Sequence, residues 1–128
     1  MMQEKHLYEY AVIRVVPRVE REEFINAGIV VFCKRKRFIR VLFTVDEAKI
    51  TMLTPDADID QIRRNLESFQ KIGEGAIDGG PIARLEVPER FRWLTAVRSS
   101  VIQTSRPHPG LCDDLEFRAQ KLYEDYVL

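Results

Sequence analysis

The sequence predicts an α+β domain: an antiparallel three- to four-stranded sheet with helices packed mainly on one of its faces. Two observations carry this. Residues 8–16, 27–33 and 38–45 are runs rich in β-branched and aromatic residues, with turn-like sequence between them. From Asp46 onward the apolar residues recur at helical spacing, most cleanly at Ile59, Ile62, Leu66, Phe69 and Ile72. At 128 residues the chain is the size of one domain, and no linker-like or low-complexity stretch divides it, so residues 1–128 are expected to share a core.

The first run, Tyr8 to Val16, is closed by Pro17. Side chains alternate across a strand, so Ala11, Ile13 and Val15 share one face and Tyr8, Tyr10, Val12, Arg14 and Val16 the other. The second run, Ala27 to Cys33, joins the third, Phe38 to Val45, through Lys34-Arg35-Lys36-Arg37, a length that suits a hairpin. The third run divides into Ile39, Val41, Phe43 and Val45 on one side and Phe38, Arg40, Leu42 and Thr44 on the other. The expected sheet thus has a purely apolar face, which helices must cover, and a mixed face carrying Arg14 and Arg40.

Helices are expected near 46–53, 58–72, 88–95 and 113–126. Asp56 or Asp58 can cap the second, and Gly73 stands where a left-handed residue would end it. Pro88 suits the first turn of the third. Asp113 or Asp114 can cap the last, whose Leu115, Ala119, Leu122 and Tyr126 line one side. Gly73 to Pro81 reads as a loop, and 99–104 as a fourth strand or extended segment. Pro107 and Pro109 make 105–110 irregular, because each proline restricts the residue before it.

Twenty basic residues balance twenty acidic ones, so net charge draws the chain toward neither nucleic acid nor acidic membranes. The N-terminus is polar and leads straight into strand-like sequence, with no signal-peptide pattern, and no apolar run is long enough to span a bilayer. With only Cys33 and Cys112, far apart, the expected compartment is the reducing cytoplasm. His6, His108, Cys33 and Cys112 show no metal-ligand spacing, and no metal or cofactor is expected. Cys112 or Ser99/Ser100 with His108 lacks any motif fixing a nucleophile against its base. The glycines at 73, 75, 79 and 80 leave a helix rather than open one, unlike a phosphate loop.

Arg14 is the more informative residue. A guanidinium amid apolar strand neighbours is costly to desolvate unless paired. One reading is structural, with Arg14 bound to Asn26 and a nearby glutamate (Glu20, Glu22 or Glu23). The other is functional: Arg14, Arg18, Asn26 and Arg40 present donors to an anionic or carbonyl-bearing ligand.

Two blocks of sequence resemble a known family. Tyr10-Ala-Val-Ile-Arg14-Val-Val-Pro17-Arg18 followed by Arg21-Glu-Glu-Phe24-Ile-Asn26-Ala-Gly28-Ile-Val-Val-Phe32-Cys33 is similar to the opening of the bacterial family known as domain of unknown function 3037. Glu89-Arg90-Phe91-Arg92-Trp93-Leu94-Thr95-Ala96, with Arg98-Ser99-Ser100-Val101-Ile102-Gln103 and His108-Pro109-Gly110-Leu111, resembles its later motif. The resemblance implies no activity. It implies an accessory or binding role in a protein complex, with a partner encoded nearby such as a HipA-type kinase-like protein. It also selects Arg14, Arg18, Asn26, Arg98, Ser99, Gln103 and His108 as binding residues, converging in one polar cleft if the fourth extended segment lies over the mixed face.

In that reading Arg14 and Arg98 hold an anion, Asn26 and Gln103 orient it, and His108 titrates at the rim. Two alternatives stand beside it. A small enzyme for a phosphate- or carboxylate-bearing substrate would use His108 as acid/base. A nucleic-acid binder would use the basic hairpin at 34–37.

Overall fold

The computed structural model describes residues 5–128. Strands β1 (His6–Val15), β2 (Ile25–Cys33) and β3 (Phe38–Phe43) are followed by helices α1 (Glu47–Leu53), α2 (Ile59–Gly73) and α3 (Val87–Thr95). Strands β4 (Ile102–Thr104) and β5 (His108–Cys112) and helix α4 (Leu115–Tyr126) complete the chain. All strand pairs are antiparallel, in the order β3-β2-β1-β4, and β5 also pairs with β1. The α+β expectation holds, and the Lys34–Arg37 tract makes the hairpin turn, with Arg37 N–H donating to Lys34 O at 3.2 Å.

The long central strand β1 holds β2 along one edge and shares its other edge between β4 and β5. Ile13 faces Thr104 whereas Tyr10 faces His108, so the β4–β5 side carries one extra residue, a bulge. Ser105 fills the step. Its N–H donates to Val12 O at 2.8 Å, and its Oγ accepts the Val12 N–H at 2.8 Å. Residues 108–110, expected to be irregular, therefore belong to a strand. Pro107 precedes the strand, and Pro109 is accommodated because β5 lies at the sheet edge.

The apolar face is as expected: Ala11, Ile13, Val15 and Val41 pack with Ile50, Ile62, Leu66, Phe69, Phe91 and Leu94 from α1, α2 and α3. The mixed face departs from expectation. The fourth extended segment does not lie over it but lengthens the sheet beside β1, and α4 covers it instead. The reason lies in β2, whose Ile29, Val31 and Cys33 join Tyr8 and Val12 in a second apolar surface. Leu115, Ala119 and Leu122 of α4 bury that surface, and Asp114 caps the helix by accepting the Phe117 N–H.

Helix α2 starts at the Asp58 cap, whose carboxylate accepts the Gln61 N–H at 3.1 Å. Its left-handed terminal residue is Gly75 (φ 70°), not Gly73. Gly75 N–H bonds Ile72 O and Ala76 N–H bonds Lys71 O, the paired bonds of a Schellman end. Gly73 is required by packing instead, since a Cβ there would stand 2.8 Å from both Leu94 Cδ1 and Val41 Cγ2. The same end of α2 closes the open edge of β3: Val41 N–H donates to Glu74 Oε2 at 3.0 Å, and Gln70 Nε2 donates to Val41 O at 2.8 Å.

Candidate functional site

Alternation along β1 puts Arg14 on the second face, and the ladder aligns it with Gln103 of β4 on one side and Asn26 of β2 on the other. The Arg14 guanidinium carbon lies 4.2 Å from the centre of the Phe24 ring, a cation–π contact made by an aromatic that is itself 45% exposed. Gln103 is held by its own Nε2, which donates to Ser100 O at 2.8 Å.

Arg98 arrives from the segment between α3 and β4. Its guanidinium donates to Trp93 O and, at 3.4 Å, to Ala96 O, and stacks 4.3 Å from the Trp93 ring centre. It thus closes the last turn of α3 while reaching the same space as Arg14. Burial pulls the Arg98 pKa below the usual arginine range.

Arg14, Arg98, Ser99 and Gln103 line one cavity of about 500 Å³, together with Glu22 and Phe24. Arg14 Nε is buried without a hydrogen-bond partner. Among the described residues neither arginine forms an ion pair with a carboxylate, and neither does Glu22, the one acid in the lining. The structural network of Arg14 with Asn26 and a glutamate is therefore not formed. Glu20 pairs with Arg18 at 2.9 Å and Glu23 with Arg21.

Three of the sequence-selected residues lie elsewhere. Arg18 is exposed in its pair with Glu20. Asn26 donates to Tyr126 O at 3.1 Å and lines a separate cavity of about 380 Å³ beside Thr44 and Asp46. His108 sits on β5 with its ring 5.4 Å from that of Tyr10, which stacks in turn on Tyr126 at 5.9 Å. The hydrogen bond to Tyr126, burial and nearby phenols push the Tyr10 pKa up to about 12. Arg40, also on the mixed face, is engaged by Glu116 at 3.5 Å and Glu74 at 3.8 Å.

Phe24, Glu22 and Trp93 were not singled out from sequence as site residues. Phe24 carried a legible signal, an aromatic directly after the charged run Glu20 to Glu23. Trp93, the one tryptophan, serves as the platform under Arg98.

Elsewhere the chemistry is plain. Cys33 and Cys112 are buried free thiols, and burial raises the Cys112 pKa. Among the described residues no group of three or more His, Cys, Asp or Glu could hold a metal ion, and no helix is long and apolar enough to cross a membrane. Lys36 and Arg37 of the basic turn border a shallow cavity shared with Asp113, Asp114 and Glu116, so carboxylates flank them.

No curated protein and no solved structure matches the chain. A family model does, over residues 10–127, and that span includes both sequence blocks and every residue of the arginine-lined cavity. The chain therefore belongs to the family described as protein of unknown function (DUF3037).

Proposed function

We propose that this domain is a non-enzymatic binding module, an accessory part of a protein complex, which takes an anionic group of its partner between Arg14 and Arg98. The observation that supports this most is the state of Arg14. A half-buried guanidinium normally brings its carboxylate with it, because desolvating the charge costs several kcal/mol. Here Arg14 has an aromatic ring and an unpartnered buried Nε instead. A partner's carboxylate or phosphate in the cavity would complete the charge pairing, with Ser99 and Gln103 supplying polar contacts at its border.

This reading is favoured over the enzyme because His108, the acid/base such an enzyme would use, lies beside the Tyr10 ring outside the cavity. It is favoured over nucleic-acid binding because Asp113, Asp114 and Glu116 stand beside the basic turn.

The test is copurification under native expression, comparing the wild-type chain with an Arg14→Gln/Arg98→Gln double variant that keeps its fold by circular dichroism. A partner, such as a HipA-type kinase-like protein encoded nearby, should accompany the wild type and be lost from the variant. Equal recovery with both would remove the cleft from the interface. No partner with either would contradict the accessory role.

A further inference from the structure

The cavity at Arg14 does not stand alone. A second one, of about 580 Å³, shares Val19, Arg98 and Ser99 in its lining and has a different character. Its walls are Phe69 and Ile72 of α2, Trp93 of α3 and Ile102 of β4. Arg98 lines both, its guanidinium stacked on Trp93, which lines the apolar cavity alone. A compartment lined by two arginines thereby adjoins an apolar one.

The polar groups of the apolar cavity narrow the choice of occupant. Asn65 and Ser68 of α2 line it with Ser99. Asn65 Oδ1 is taken by Gln61 Nε2 at 2.8 Å, which leaves the Asn65 amide N–H groups as donors. An acyl chain offers such donors nothing. A peptide offers a main-chain carbonyl beside each apolar side chain.

Resting on the anion-binding reading above, we propose that the joined cavities form one groove for a short peptide segment of a partner protein. In that segment a carboxylate adjoins a bulky apolar side chain. The carboxylate lies between Arg14 and Arg98, the apolar side chain enters against Phe69, Ile72 and Trp93, and the intervening main chain crosses at Ser99.

Trp93 supplies the readout, being the one tryptophan of the chain and part of the groove wall. The probes are N-acetyl-leucyl-leucine as the free acid, the same dipeptide as its C-terminal amide, N-acetyl-glycyl-glycine and octanoate. The free acid should change Trp93 emission saturably, with a Kd about tenfold or more below those of the amide and the diglycine. Arg14→Gln should raise the Kd of the acid about tenfold and leave that of the amide unchanged. Gln103→Glu, which sets a carboxylate opposite Arg14, should weaken the acid in the same way.

Equal binding of acid and amide would overturn the proposal, as would octanoate binding as tightly as the dipeptide acid, which would make the groove an acyl-anion site. No saturable response to any probe up to about 10 mM would also overturn it. If copurification depends on Arg14 and Arg98 while no dipeptide binds, the peptide groove falls and the accessory reading stands. If the acid binds as described and no partner copurifies, the accessory reading falls and the groove chemistry stands.

Discussion

Arg14 and Gln103 face each other across the β1–β4 pair, and neither side chain satisfies the other: Gln103 turns to Ser100 O, and Arg14 lies against Phe24. A charged side chain in a sheet usually reports a structural pair or a solvated edge. This one is half-buried with an unpartnered Nε, so no carboxylate among the described residues offsets its desolvation.

That assignment makes the stability of an Arg14 variant informative. Arg14→Met keeps the length of the side chain and its contact with Phe24 while removing the charge. It should leave the urea midpoint unchanged or raised, the outcome expected when an unpaired, partly buried ion is replaced by an apolar residue. A loss of about 3 kcal/mol or more would mark Arg14 as a structural partner.

Ser105 is expected to be structural. Its Oγ takes the Val12 N–H in a buried position where the sheet edge changes register. Ser105→Ala leaves that donor unsatisfied and should cost about 1–3 kcal/mol in chemical denaturation. Amide exchange should accelerate first at Val12 and its neighbours in β1.

The β3 edge is closed by side chains rather than by another strand. Glu74→Ala frees the Val41 N–H and should cost about 1 kcal/mol. It also exposes an edge able to pair with a second copy, so concentration-dependent association by light scattering should rise. Gly73→Ala should destabilise as well, by about 1–3 kcal/mol, since crowding against Leu94 and Val41 outweighs the gain in helix propensity.

The Tyr10–Tyr126 contact makes an alkaline prediction. The folded state holds the Tyr10 phenol in its neutral form, with a pKa of about 12 against the usual 10, because its hydroxyl bonds that of Tyr126 and is partly desolvated. Between those values the folded chain binds more protons than the unfolded one, so the contribution of this phenol to stability is constant below pH 10 and declines as pH rises toward 12. Tyr126→Phe should return the latest-ionising phenol in ultraviolet titration toward 10 and flatten that decline.

What the sequence made legible was what periodicity encodes. Alternation placed Ala11, Ile13 and Val15 against the helices, and helical spacing located α2 and its Asp58 cap. Where one residue type serves two purposes the reading failed. Gly73 looked like a helix terminator, but Leu94 and Val41 are what require it, and neither adjoins it in sequence. Pro109 argued against a strand because local rules do not reveal that β5 occupies an edge.

The candidate cleft was half legible. Arg14, Arg98, Ser99 and Gln103 do share one cavity, although by a different route from the one expected, through the β1–β4 ladder rather than a segment laid over the sheet. Asn26 and His108 were drawn away by α4 and by the Tyr10 ring, contacts set by the last helix and the edge strand. Polar residues in apolar stretches identify themselves in sequence, but the cavity each one lines depends on packing between distant elements.

A specific anion site between Arg14 and Arg98 underlies the proposed binding role. It is tested most directly by following arginine Nε–H and main-chain amide resonances during titration with inorganic phosphate at constant ionic strength. Saturable shifts are expected at Arg14, Arg98, Ser99 and Gln103, with the Arg35 and Arg37 side chains of the basic turn unmoved. Shifts confined to that turn, or spread evenly over all the arginines, would contradict it.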